Sequence, residues 1–437
     1  MEDPLSLGIG ALRRALKRGE LDAREVAAAA LDRAGSQELN AFVETRAEAV
    51  DEAGRASGPL AGVPLAVKDM FVDEGRVPTC GSNAHGTWLT GTATIVERLR
   101  RAGAVVVGYT NLHEWGVGMT SAVTATGPIR NPWDPALVPG GSSGGSAAAL
   151  AAGIVPAAIG TDAGGSIRCP SACCGTPGLK APGGRLPTKG FVGDGGAIDG
   201  VGPMARSVED VALLFGVMAD EELSLPEGES LRLGIPSSFF FDDLDPGVGA
   251  AVESGLEVLR GLAADVREVD LPAAATASFA VPALLLPLFA ERLSGVDDGA
   301  FQPPTAHLIA LGRSATEDDR RQAAGTQEAM AADWARVFEE VDVVVTPTLP
   351  GPPAPVDTLL VELPSGPAAA ELAYLRTNAP MNLGGVPALS LPCGVMPSGL
   401  TTNLTLTAAR GRDELALAMG LAFERATDGA YANRIAR

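Results

Sequence analysis

Two serine-bearing glycine loops frame the part of this chain whose fold the sequence constrains most. The first loop reads GGSSGGS at 140–146 and the second reads DAGGSIR at 162–168. Between them, a helical pattern over 146–153 leads directly into a continuous apolar strand pattern over 154–160. Strands without alternating polar positions are typical of a sheet that helices cover on both faces. This unit therefore predicts an α/β/α sandwich.

The same order of helix and strand recurs along the chain. A helical pattern over 92–102 is followed by an uninterrupted apolar run at 104–109. Further helices are predicted at 7–18, 22–34, 247–263, 317–340 and 413–427, and further strands at 233–236, 343–346, 388–393 and 403–407. An acidic run over 220–230 is interpreted as a surface connection between the two halves.

Composition and charge limit the classes of partner. At 437 residues, of which 46% are hydrophobic, the chain can form the core of one large domain or of two ordinary ones. Its formal net charge of -20 repels nucleic-acid backbones, anionic membranes and polyanionic substrates. We therefore expect neither a nucleic-acid partner nor a membrane partner.

Two stretches bear on localisation. The acidic start, 1–4, lacks the basic and apolar regions of a signal peptide, so we expect a cytoplasmic protein. The uncharged stretch 271–290 has the length of a membrane span, but Pro272, Pro282 and Pro287 interrupt it. It is interpreted as buried helix and loop that flank a substrate pocket.

The five cysteines do not form a metal-binding pattern. Cys169, Cys173 and Cys174 cluster, but zinc sites usually need a second ligand pair, and Cys80 and Cys393 are isolated. We expect free, mostly buried thiols, with no metal and no other cofactor. An odd number of cysteines without a disulfide framework fits a reducing compartment.

The glycine loops and an upstream lysine suggest nucleophilic chemistry. Runs of glycine let backbone N–H groups approach a ligand and form a nest that accepts an anion. A serine in such a nest can attack a carbonyl if a base takes its proton. Lys68, within the apolar segment GVPLAVKD at 62–69, could be that base, because burial favours the neutral amine.

Other interpretations of the same residues remain open. The first loop could be a flexible linker, and it twice matches the G-x-S-x-G nucleophile elbow, centred on Ser142 and on Ser143. That elbow needs a histidine, and none of His85, His113 and His307 lies in a setting typical of a triad histidine. No P-loop Gly-Lys-Ser/Thr tripeptide is present, and Lys68 could instead pair with its neighbour Asp69.

The segment 140–182 resembles the signature of the amidase signature family almost end to end. Other segments resemble landmarks of that family in the expected order: GVPLAVKD, PTCGS at 78–82, IRNPWD at 129–134, GPMARSVEDVALL at 202–214 and VVVTPTLP at 343–350. The resemblance implies one domain over 1–437 with a single mixed, mostly parallel sheet flanked by helices. It places the core at about 60–215, a helical cap and pocket walls at about 220–380, and a return to the core at 381–437.

The resemblance also implies catalytic roles. Ser166 would be the nucleophile, Ser142 the bridging serine behind a cis peptide bond from Gly141, and Lys68 the base. The oxyanion hole would consist of four backbone N–H groups, those of Ala163, Gly164, Gly165 and Ser166.

The segment MTSAVTATGPIRNP at 119–132 departs from the family pattern, in which it reads approximately SSTENSAFGPTRNP. A second departure, GLTTNLT, lies at 399–405, so we expect a reshaped pocket. The candidate substrate contacts are Met119, Thr120, Thr161 and Arg168. Arg168 could meet a substrate carboxylate or pair with Asp162.

The resemblance implies an amidohydrolase that cleaves an amide, or a related carbamate, urea-like or ester bond, of a small molecule through a seryl acyl-enzyme. Two alternatives are the glutaminase component of a tRNA-dependent amidotransferase, its A subunit, which makes ammonia from glutamine, and a catalytically inactive binding module. A homodimer is the default expectation for the assembly.

Overall fold

The structure is a computed structural model that describes residues 3–36, 38–84, 90–193, 196, 198–432 and 434–436. The α-helices are α1 (Ile9–Lys17), α2 (Ala23–Gly35), α3 (Ala49–Ala53), α4 (Thr94–Arg101), α5 (Gly144–Ala151), α6 (Arg168–Cys174), α7 (Val208–Ala219), α8 (Pro246–Leu262), α9 (Ala277–Arg292), α10 (Pro303–Ser314), α11 (Glu317–Glu340), α12 (Ala370–Leu383) and α13 (Asp413–Ala426). The β-strands are β1 (Phe42–Thr45), β2 (Pro64–Lys68), β3 (Val105–Thr110), β4 (Ala157–Asp162), β5 (Gly178–Lys180), β6 (Gly200–Ala205), β7 (Arg232–Pro236), β8 (Asp265–Val269), β9 (Val343–Pro347), β10 (Leu360–Leu363), β11 (Gly366–Ala369), β12 (Ala388–Val395) and β13 (Thr401–Ala408).

Within the described residues, eleven strands form one sheet in the order β1-β3-β2-β4-β6-β5-β12-β13-β9-β7-β8, and β10 pairs only with β11. The sheet is mixed, as predicted. Parallel pairing joins β2 to β3 and β4, and joins β7 to β8 and β9. The other neighbouring pairs are antiparallel, so the prediction of a mostly parallel sheet is wrong. One reason is that β12 and β13 are joined by a short turn, and a connection that short allows only antiparallel pairing.

Helices cover both faces of this sheet, which explains why its inner strands are continuously apolar. All five residues of β2 are buried. Leu65 and Val67 belong to one apolar cluster together with residues of α4, α7 and α13, whereas Ala66 belongs to another with residues of α2 and α5. Successive side chains of a strand point to opposite faces, so each face of β2 meets a different helical layer. The α/β/α sandwich is confirmed.

The unit between the two serine loops is a helix and a strand, but its boundaries differ from the prediction. The strand β4 begins at Ala157 and ends at Asp162, whereas the pattern predicted 154–160. Ile154 and Val155 follow the positive-φ Gly153, and their N–H groups still bond back to the Ala149 carbonyl in α5. Pairing with β6 continues the strand to Asp162, where the second serine loop begins.

Beyond the sheet, α9 packs against α10, α11 and α12 as a separate helical layer. The apolar stretch 271–290 lies here, as a 3-10 turn (Pro272–Thr276) followed by α9, which contains Pro282 and Pro287. Within the described residues, 272–292 is the one helical stretch whose length and composition would suffice to cross a bilayer. Its residues Val281 and Leu286 are buried, whereas Phe279 is 54% exposed.

Candidate active site

Lys68 ends β2 and is fully buried. Its Nζ donates hydrogen bonds to Ser142 Oγ at 2.8 Å and to Thr161 Oγ1 at 2.7 Å. The neighbouring Asp69 does not pair with it, because Asp69 Oδ1 lies 2.7 Å from Arg76 Nη1 in an ion pair of its own. The parallel pairing of β2 with β4 brings Lys68 beside Thr161, although 93 residues separate them.

Burial sets the protonation state of this lysine. Loss of solvation lowers the pKa of Lys68 to about 7, although the negative charges of Asp199 and Asp162 act in the opposite direction. A large fraction of the amine is therefore neutral near pH 7. Neutral Lys68 has a lone pair and can accept a proton from the hydroxyl to which it is bonded.

The first serine loop holds Ser142 at the entrance to α5. The Gly141–Ser142 peptide bond is cis. A side chain at position 141 would collide with the backbone of the 119–132 segment, because a Cβ there would lie 2.8 Å from Thr120 N. Glycine at 141 therefore lets this segment pack directly on the loop. Ser142 is 1% exposed, and its backbone carbonyl accepts a hydrogen bond from His113 N–H at 3.1 Å.

The second serine loop connects β4 to α6 and carries Ser166. The Ser166 carbonyl accepts a hydrogen bond from Ser143 N–H at 3.1 Å, which ties the two loops together. Gly165 has a φ of 124° and packs against Asn378, since a Cβ at position 165 would lie 2.6 Å from Asn378 Cβ. Only glycine fits this backbone conformation and this close approach.

A buried carboxylate, that of Asp162, organises the second loop from inside. Asp162 accepts hydrogen bonds from Gly165 N–H at 2.7 Å and from Ile167 N–H at 3.2 Å. It also accepts two hydrogen bonds from the Arg168 guanidinium, each at 3.0 Å, and one from Asn382 Nδ2 at 2.9 Å. Burial alone would raise the pKa of Asp162, but the charge and hydrogen bonds of Arg168, the charge of Lys180 and the hydrogen bond from Asn382 together outweigh burial and hold this pKa well below its ordinary value.

Ser142, Thr161 and Ser166 all line one cavity of about 410 Å³. Ala163 and Gly164 line it as well, whereas Gly165 does not, and the N–H of Gly165 is bonded to Asp162. Larger grooves beside α1 and α2 and between α9, α10 and α11 contain none of these residues.

The four candidate substrate contacts fall into two groups. Met119 and Thr161 line the cavity. Thr120 is fully buried, is not part of the cavity surface, and donates a hydrogen bond to Glu371 Oε1 at 2.8 Å. Arg168 is also fully buried and is bonded to Asp162, so it belongs to the support of the loop and not to the cavity surface.

Both described histidines, His113 and His307, line the cavity. His113 lines the cavity, but its Nδ1 accepts a hydrogen bond from Ser121 N–H at 3.2 Å, and burial lowers its pKa, so it is neutral. His307 lines the cavity and is exposed to solvent. Within the described residues, neither side chain is bonded to Ser142 or Ser166; His85 lies outside them.

None of the five cysteines lines the cavity. Cys80, Cys169, Cys173, Cys174 and Cys393 are all free and buried. In the part of the chain that the structure describes, no group of three or more His, Cys, Asp or Glu side chains is arranged to hold a metal ion.

Comparison with known proteins identifies the family. A sequence model of the amidase family matches residues 24–417. This chain belongs to the amidase signature family. The A subunit of the glutamyl-tRNA(Gln) amidotransferase of Chloroflexus aurantiacus is 35% identical to it over 480 aligned residues, which cover 97% of each chain.

Solved structures of amidases have the same fold. A crystallised amidase superposes with a TM-score of 0.91 and 34% sequence identity, and the match covers 96% of this chain and 99% of the other. A 6-aminohexanoate cyclic dimer hydrolase, solved with its substrate, superposes with a TM-score of 0.83 and 27% identity over 97% of each chain.

Several residues of this amidase cavity were not predicted from the sequence. Glu371, from the first turn of α12, lines it, as do Asp199 and the α9 side chains Val281 and Leu285. Glu371 and Thr120 are 251 residues apart in the chain. No local motif marks such positions, and the only sequence signal was the apolar stretch that became α9.

The role of Asp162 in this amidase can be tested by stability. Asp162→Asn should lower the free energy of unfolding by about 3–5 kcal/mol, because it leaves the buried Arg168 charge without its partner. Denaturant unfolding of the purified variant measures the change. Asp298→Asn is the matched control, since it breaks an exposed ion pair with Arg313 and should have little effect. Equal effects of the two substitutions would contradict the role assigned to Asp162.

Proposed function

We propose that this chain is an amidohydrolase that cleaves a carboxylic amide through a seryl acyl-enzyme on Ser166. The observation that carries the proposal is the buried hydrogen bond between Lys68 Nζ and Ser142 Oγ, at 2.8 Å, beside a cavity that Ser166 also lines. Lys68, a base of suitable pKa, is thus bonded to the Ser142 hydroxyl, and Ser166 lines the same cavity, where a substrate can reach it.

In the proposed reaction, neutral Lys68 accepts the proton of Ser142 while Ser142 accepts the proton of Ser166. The Ser166 Oγ attacks the amide carbonyl carbon at the same time. Thr161 Oγ1, 2.7 Å from Lys68 Nζ, accepts one of the amine hydrogens and so helps to direct the lone pair toward Ser142. The hydrogen bond from Lys68 to Ser142 supports the first link, and the second link rests on both serines lining one cavity.

Backbone N–H groups would stabilise the tetrahedral intermediate. We propose the N–H groups of Ala163, Gly164 and Ser166 as donors, since these residues line the cavity. The resemblance implied a fourth donor, Gly165, but its N–H is engaged by Asp162 at 2.7 Å. Each such donor typically contributes about 3–4 kcal/mol to the transition state.

Collapse of the intermediate needs an acid, because an amide anion is a very poor leaving group. Ser142 would return a proton to the departing nitrogen, and ammonia or an amine would leave. Water would then release the acid product from Ser166 through the same relay. The same steps would serve an ester, a carbamate or a urea-like carbonyl.

The second candidate is the A subunit of a tRNA-dependent amidotransferase. The 35% identity to such a protein from Chloroflexus aurantiacus, over 97% of both chains, favours it. In that function the same serine would release ammonia from glutamine for a partner protein. The departures from the family pattern at 119–132 and 399–405 favour the independent amidase.

The proposed role of Ser166 as nucleophile can be tested by replacing two serines, Ser166 and a control, one at a time. Ser166→Ala should lower kcat/KM for amides by at least about 10³-fold, because no other hydroxyl would replace the attacking oxygen. Ser171→Ala is the matched control, since Ser171 is buried on α6 and lies outside the cavity lining. Steady-state kinetics and a mass-spectrometric search for an acyl adduct on Ser166 provide the measurements. Retained activity in Ser166→Ala would overturn its role.

The base should be visible in the pH profile. Because only neutral Lys68 can accept a proton, kcat/KM should rise with pH through about 7, the value to which burial lowers its pKa. Lys68→Ala should lose several orders of magnitude at pH 7 and recover part of the loss at high pH. His113→Gln should keep the rise at the same pH; a profile that is flat across neutral pH contradicts the role of Lys68.

The two candidate functions differ in their need for a partner. The purified chain alone should release ammonia from simple primary amides, and Ser166→Ala should abolish the release. An enzyme-coupled ammonia assay on a panel of amides, anilides, carbamates and esters measures it. Release of ammonia from glutamine that begins only when an amidotransferase partner is added would favour the second candidate.

A further inference from the structure

The walls of the cavity are apolar where they face the serine loop. Val281, Leu285 and Phe289 of α9 line it together with Leu375 of α12. A Cβ at position 164 would lie 2.9 Å from Leu375 Cδ1 and 3.4 Å from Val281 Cγ1. The main chain beside Ser166 is therefore in contact with hydrocarbon, and a group bound there loses its water.

The charged side chains that line the cavity, among the residues described, are the carboxylates of Asp199 and Glu371. No arginine or lysine lines it in that part of the chain. The nearby basic side chains are committed elsewhere, because Lys68 is bonded to Ser142 and Arg168 to Asp162. A carboxylate in a water-poor site needs a cationic partner, and this cavity has none among the described residues.

Glu371 is held in place as an anion without a cationic partner. It accepts hydrogen bonds from the Met119 N–H and from Thr120 Oγ1. Its Oε1 lies 3.7 Å from His113 Nδ1, and that nitrogen is the acceptor of the Ser121 N–H bond. The side chain of Glu371 is 39% exposed, so its charge reaches the space that a substrate would occupy.

We propose that the cavity selects amides with an apolar body and no carboxylate, and that Glu371 is the residue that excludes anionic substrates. The inference rests on the proposed amidohydrolase function and names its substrate class. Adipic acid monoamide, whose one charge is a carboxylate, would lose the hydration of that carboxylate against the α9 wall and bring it to the Glu371 charge. Like charges at close range discriminate strongly against a ligand, even where its amide could reach Ser166.

Binding to the Ser166→Ala protein tests this selection without turnover. Heptanamide and adipic acid monoamide form a matched pair, because they have similar length and differ at the end remote from the amide. Isothermal titration calorimetry should give a Kd for heptanamide at least about 30-fold lower than for adipic acid monoamide. Failure to bind heptanamide, or equal binding of the carboxylated amide, overturns the proposal.

The role of Glu371 is tested in the same Ser166→Ala background. Glu371→Gln keeps one oxygen to accept from the Met119 N–H and offers an NH2 group from which Thr120 Oγ1 can accept, but it removes the charge. It should therefore reduce the 30-fold ratio by at least about 5-fold, mainly through tighter binding of the carboxylated amide. Glu362→Gln, on exposed β10 and outside the cavity, is the matched control and should leave the ratio unchanged. A ratio unchanged by Glu371→Gln overturns the assignment of Glu371.

Hydrolysis of the amides by wild-type protein distinguishes failure of the proposed function from failure of the proposed substrate class. If wild-type protein hydrolyses none of the amides, the amidohydrolase proposal fails, whatever the binding ratio. If wild-type protein hydrolyses them and the calorimetric ratio is absent, only the substrate class is wrong.

Discussion

The buried ion pair between Asp162 and Arg168 is the interaction on which the arrangement of the site depends. One carboxylate at the end of β4 meets N–H groups of the second serine loop, the guanidinium of α6 and, through Asn382, the end of α12. Two buried charges are costly unless they are paired and fully hydrogen-bonded, and this pair has many partners. Asp162 does not line the cavity, but its carboxylate is bonded to the N–H groups of the residues on either side of Ser166. The position of Ser166 thus follows from the hydrogen bonds that the buried Asp162 charge needs.

The same burial that builds the sheet also lowers the pKa of Lys68, the proposed base. β2 is covered on both faces, which is why its sequence is continuously apolar, and Lys68 at its end has lost its water. Its pKa falls to about 7 for that reason. The packing of the sheet therefore also sets the protonation state of Lys68 in this amidase. If the end of β2 were more hydrated, the lysine would stay protonated and could not accept a proton.

The late part of the chain supplies walls of the cavity. The helices α9 and α12 supply the cavity walls, and α12 also supplies Glu371 and, at its other end, Asn382. One helix therefore contacts both the substrate space and the support of the serine loop.

The sequence alone determined the local features. The alternation of helices and apolar strands predicted the sandwich, α11 was predicted at its observed bounds, and the motifs singled out Lys68, Ser142 and Ser166. Tertiary structure decided the antiparallel majority of the sheet, the pairing of Arg168 with Asp162 and the place of Glu371 beside Thr120. Local patterns record which face of an element is buried, whereas strand order, the choice of partner for a buried charge and contacts between residues hundreds of positions apart depend on how the elements pack.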